Sequence, residues 1–150
     1  MLMKYEFNED DFTEGEDHKD KAKNHPLVLH LNELTDTLQV LLAYPKTEDK
    51  MINSHIEIIQ ESLFLIKVKI YSALRSDSYL VGMQNAAIIR YHSDYLLLTS
   101  HTLNYLDCFD KGHVSVFRGE MEEFQQLFKT WAKEIKEMDK EDFEDEWGLF

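Results

Sequence analysis

Histidines, carboxylates and a single cysteine are the side chains of this chain that could bind a metal or move a proton. Imidazole and carboxylate groups brought together from neighbouring helices can share one cation, so the seven histidines are weighed first. The carboxylate-bridged di-iron pattern needs Glu-x-x-His on two helices, and no such spacing occurs here. His25 and His30 are five apart and fall on different helix faces, while His18 and His113 fall in coil or turn. His55 lies two residues before Glu57, so the two diverge on a helix. His92 is the best placed, between Asn85 and Thr99 on the inward side of its helix. Its partners in a metal site would be Glu57 or Glu61 from one helix and Glu120 from another. The alternative is a core histidine satisfied by Asn, Thr or Tyr neighbours. No metal or cofactor is predicted; His92, Glu57, Glu61 and Glu120 are the candidates if one binds.

Covalent chemistry has even less to build on. Cys108 with Asp107, Asp110 and His113 is the one grouping that hints at a nucleophile and a base. Acids beside a thiol raise its pKa, so the expected role of Cys108 is that of a small hydrophobe. Helical ribonucleases of the toxin type carry Arg followed four to six residues later by His. Arg90 and His92 are too close for that pattern, and Arg75 and Arg118 have no such His. No Gly-rich phosphate loop and no zinc spacing occurs, and no catalytic residue is predicted.

The elements that would position these groups are legible as apolar rows stepping by four and three residues. They read Leu27, Leu31, Leu34, Leu38, Leu41, then Ile52, Ile56, Ile59, Leu63, Ile66, Ile70, Ala73. The last is Phe117, Met121, Phe124, Phe128, Trp131, Ile135, Met138. Such steps average ~3.5 residues, keep each row on one face of a helix, and suit near-parallel packing. The predicted fold is all-α, an antiparallel up-and-down four-helix bundle with short loops. Helices are expected over about 25–43, 48–75, 79–109 and 114–139, with caps at Asn24, Thr47 and the Ser76–Ser78 turn. Pro26 suits the first helical turn, Tyr44-Pro45 ends that helix, and Gly112 is a candidate left-handed stop. Residues 64–71 also alternate as a strand would, but the helical stepping continues from Ile52 to Ala73 without a break.

The third helix carries two inward rows. One is Gly82, Ala86, Ile89, Ser93, Leu96, Ser100, Leu103; the other is Val81, Asn85, Ile88, His92, Tyr95, Thr99, Thr102, Leu106. Their small residues leave room for the Phe and Trp row of the fourth helix. Beyond these rows Tyr91, Tyr95, Leu98, Thr102 and Tyr105 form an outward stripe, as do Phe64, Val68 and Tyr71 on the second helix. Aromatics on an outer face mark a self-association surface, unless the terminal segments cover them.

The formal net charge is −13, and it is concentrated at the ends. Residues 1–23 hold four lysines against eight acids, and residues 137–150 one lysine against seven. The division is therefore an acidic N-terminal arm (1–23), a bundle (24–139) and an acidic, aromatic C-terminal tail (140–150). The tail, with Trp147, Leu149 and Phe150, is expected to fold back on the bundle. Clustered Lys and Arg are missing, which disfavours nucleic acid and anionic membranes as partners. A lone cysteine and the absence of an apolar leader or a membrane-length apolar run predict a cytoplasmic protein.

Several short motifs carry a resemblance. They are His25-Pro26-Leu27, Asp77-Ser78-Tyr79, Asn85-Ala86-Ala87-Ile88-Ile89-Arg90, Glu122-Glu123-Phe124, Leu127-Phe128 with Trp131, and the ending Trp147-Gly148-Leu149-Phe150. Over residues 24–150 the chain resembles uncharacterised bacterial four-helix-bundle proteins similar to the 23S rRNA intervening-sequence protein family. It departs from them at Lys67, where such relatives carry proline, and a straighter second helix is expected in consequence. The resemblance implies an up-and-down bundle that commonly associates; it implies no known reaction and carries over no catalytic residues. The function expected is a non-enzymatic interaction or self-association module, most simply a homodimer. The alternatives are a metal-binding bundle using His92 and inward carboxylates, and an acidic inhibitor of a basic partner.

Overall fold

The computed structural model describes residues 21–140 and 146–148. Among the described residues the secondary structure is helical, without a strand. Four helices follow the connection out of residues 21–23: α1 (Pro26–Ala43), α2 (Lys50–Leu74), α3 (Tyr79–Leu106) and α4 (Lys111–Lys136). Residues 64–71 lie inside α2, so the 3.5-residue stepping prevails over the local alternation. The arm and tail expected at residues 1–20, 141–145 and 149–150 lie outside the described residues. The described end of the arm is helical, and Ala22 is buried.

Each helix begins at a side chain that accepts a free backbone N–H of the first turn. The acceptors correct three expectations. His25, not Asn24, caps α1, its Nδ1 accepting from the Leu27 N–H at 3.2 Å. Asp49, not Thr47, caps α2, accepting from the Met51 N–H at 3.1 Å. The left-handed residue that ends α3 is Asp107 (φ 52°), not Gly112. Gly112 instead falls in the first turn of α4, behind the Asp110 carboxylate that accepts from the His113 N–H. The fourth helix therefore starts three residues earlier than the apolar row alone indicates. Ser78 caps α3 by accepting from the Val81 N–H.

Contacts join α1 to α2, α2 to α3, α3 to α4, and α4 back to α1, while the pairs α1–α3 and α2–α4 stay apart. The core is the predicted rows. Leu27 through Leu41, Ile52, Ile59, Ile66, Ile70, Phe117, Met121, Phe124, Trp131 and Ile135 are all buried. On α3 the row from Gly82 to Leu103 faces inward as expected. The second row does so only in part: Asn85 and Thr99 are buried, His92 and Tyr95 are half-buried, and Thr102 is exposed. Gly82 marks a close approach, since a Cβ there would stand 3.1 Å from Cγ2 of Ile135 on α4. Arg118 of α4 reaches the far end of α3, donating to the Ser100 carbonyl at 3.3 Å.

Phe124 sits at the centre of this packing, 1% exposed. Phe124→Ala is expected to lower unfolding free energy by about 3–5 kcal/mol, from lost burial plus a cavity. Urea denaturation followed by far-UV circular dichroism measures it. A midpoint equal to that of the parent would show that the α4 row does not form the core.

Candidate functional site

The four metal candidates are not brought together. Glu57 and Glu61 are exposed on α2, which makes no contact with α4, the helix that carries Glu120. His92 is half-buried on α3, its ring edge-on to Tyr91 at 5.2 Å. Glu120 turns toward α1, where its Oε1 accepts from the Thr37 hydroxyl at 2.7 Å. Among the described residues no group of three His, Cys, Asp or Glu is disposed to hold a metal ion.

A different polar cluster lies between α1 and α4. His30 is buried, stacks near Phe124, and its Nε2 donates to the main-chain carbonyl of Glu120 at 2.6 Å. That bond fixes the proton on Nε2 and turns Nδ1 toward Glu33 and Glu123, whose carboxylates stand 3.6 and 3.9 Å away. Burying an imidazole in an apolar interface is costly unless its nitrogens are paired, and the bond to the Glu120 carbonyl pairs one of the two. The second oxygen of Glu120, Oε2, is buried without a hydrogen-bond partner. Sequence spacing alone does not reveal this cluster, because His30 and Glu120 meet only once α1 is known to pack on α4.

The cysteine grouping also disperses. The half-buried Cys108 thiol donates to the Leu106 carbonyl. Asp107 takes a hydrogen bond from Lys46 at 2.9 Å, and that bond holds its carboxyl below the usual range. Asp110 is held low chiefly by the His113 backbone N–H that it caps. Both acids thus serve the backbone and the loops rather than the thiol.

The outward stripes are real surface. On α3 Tyr91 is 72% exposed, Leu98 66% and Tyr105 89%, with Tyr95 half-buried beside them. On α2 Phe64 and Val68 are exposed and Tyr71 is half-buried. Phe64 lines a cleft shared with Leu38 and Leu42 of α1, so the α2 stripe borders α1 rather than α3. In the described part of the tail Trp147 is 92% exposed. Lys140 places its ammonium over the Tyr79 ring. No helix among the described residues is long and apolar enough to cross a membrane. Compared with known proteins, the chain matches no family model, no curated protein and no solved structure.

His25 gives this end of the bundle a pH dependence. Burial pushes its imidazole below the ordinary value, and the nearby Glu134 carboxylate pulls the other way. The folded state therefore prefers neutral His25, and only the neutral ring has a lone pair on Nδ1 for the Leu27 N–H. The stability it contributes is complete above the unfolded-state pKa of ~6.5 and declines as the pH falls through that value. Melting temperature is expected to drop between pH 7.5 and pH 5 by less in His25→Asn, which keeps a capping acceptor that does not titrate, than in the parent. Equal drops in the two proteins would remove His25 as a cause.

Proposed function

We propose that this chain is a non-enzymatic interaction module, an antiparallel up-and-down four-helix bundle that associates with a second copy of itself through the outer face of α3. The topology is supported by end-to-start contacts. Gly82 near the start of α3 lies against Ile135 near the end of α4, and Ser100 near the end of α3 meets Arg118 near the start of α4. At the same end, the Lys46 N–H donates to the Cys108 carbonyl, so the α1–α2 and α3–α4 connections are neighbours.

The observation that carries the functional reading is the charge content of α3. Charged residues are 30% of the chain, yet the 28 residues of α3 hold only Arg90 and Asp94, which pair with each other. A solvated helix face is normally rich in charge, whereas interface centres lose it and gain tyrosine. Tyr91, Leu98 and Tyr105 are spaced by sevens, so the row reads the same from either end. A twofold axis at Leu98 would set each Leu98 on its counterpart and Tyr91 of one copy beside Tyr105 of the other. Exposed Met51 and Ile58 widen the patch on the flank of α2 away from α1. The net charge of −13, concentrated in the terminal segments, would limit association to this face by mutual repulsion. The same reading includes kinship with helical-bundle proteins that associate, and a cytoplasmic location.

Size-exclusion chromatography with light scattering is expected to give twice the 17.8 kDa chain mass at micromolar concentration. Leu98→Glu is expected to give the monomer with an unchanged helical spectrum, because Leu98 is exposed. Val40→Glu, at an exposed position on α1, the helix that makes no contact with α3, should leave the dimer intact. A parent that runs as a monomer at high concentration overturns the proposal, and so does a dimer indifferent to Leu98→Glu.

A further inference from the structure

We infer that the cleft between α3 and α4 is a binding site for a short apolar carboxylate. Its floor is Met121 and Phe124, both buried, and Leu97 and Phe128 wall it. The cavity measures about 170 Å³ and opens to solvent. At ~30 Å³ per water that is room for roughly six waters, or for a chain of roughly six carbons. Water on such a floor finds few partners, so an apolar tail displaces it favourably.

One polar group inside the cleft lacks a partner. Ser93 Oγ is buried there with no hydrogen bond. Other helical hydroxyls in this chain, those of Thr35, Ser54 and Ser100, donate to a carbonyl three or four residues back. Ser93 does not, so its hydroxyl keeps an unused hydrogen-bonding capacity in the lining of the cleft, which a ligand reaches by parting the side chains that cover Oγ.

The rim selects the sign of charge. Arg90 and Lys129 flank the mouth against one acid, Asp94, in a chain that is otherwise strongly acidic. Arg90 meets Asp94 through Nε at 3.7 Å between exposed groups, a weak contact that an incoming anion can replace. A carboxylate in the mouth takes up the guanidinium fork and the Ser93 hydroxyl together, with its tail on Phe124 and Phe128. An alcohol of the same length uses only the hydroxyl, and an amine meets Arg90 and Lys129 as like charges. None of the outward tyrosines lines the site, but Arg90 and Asp94 also border Tyr91, so its mouth lies at the edge of the proposed self-association face.

Titration calorimetry of the full chain with hexanoate, hexan-1-ol and hexylamine tests this. Hexanoate is expected to saturate one site per chain and to bind about tenfold tighter than hexan-1-ol, with hexylamine weakest. The double variant Arg90→Gln, Lys129→Gln changes only exposed groups; it should keep the parent helical spectrum and bring hexanoate down to the level of the alcohol. Ser93→Ala should weaken hexanoate and the alcohol alike. Absence of saturable hexanoate binding overturns the proposal. Hexanoate no tighter than hexan-1-ol, or indifferent to the double variant, does the same.

Discussion

Gly82, Ala86, Ser93 and Ser100 leave hollows along α3, and the large side chains of α4, from Phe117 through Phe124 to Trp131 and Ile135, occupy the space opposite. Protein interiors are packed as densely as organic crystals, so two rows of bulky residues could not meet at this helix spacing. The close approach of α3 and α4 sets the position of everything else. It presents the other flank of α3 to α2 and leaves the free flank of α4 to α1. The same match leaves a cleft around Ser93 and Leu97.

The four rows of core residues were legible because an amphipathic helix writes its buried face into the sequence at a fixed period. Helix starts were less legible. At both α1 and α2 two polar residues compete to cap, Asn24 with His25 and Thr47 with Asp49, and local composition does not rank the geometry of a single N–H acceptor. Gly112 suggested a helix stop because glycine favours positive φ, but Asp107 takes that conformation while held by Lys46. The second inward row of α3 does not extend to Thr102, which is exposed.

Side-chain clusters were the least legible part. His30 and Glu120 are ninety residues apart, and neither belongs to a spacing motif. They meet because α1 closes the ring against α4, a pairing that no local pattern encodes. His92 with Glu57, Glu61 and Glu120 was a reasonable set for helices packed without known order. It does not assemble because α2 and α4 sit across the diagonal of the bundle. The outward stripe on α3, by contrast, was readable from type and spacing. An apolar residue that belongs to no inward row must face solvent or a partner, whatever the helix order.

Lys46 links the two connections at one end of the bundle twice, through its backbone N–H to Cys108 at 2.7 Å and through its ammonium to Asp107 at 2.9 Å. An exposed ion pair contributes little by itself, about 0–1 kcal/mol. The consequence is one of connectivity. Bundles of this kind can exchange halves between molecules by straightening the middle loop, here residues 75–78, into a hinge. In the proposed antiparallel bundle, a clasp between residue 46 and residue 108 joins the two halves at the end remote from that hinge, so they must unfasten before they can trade places.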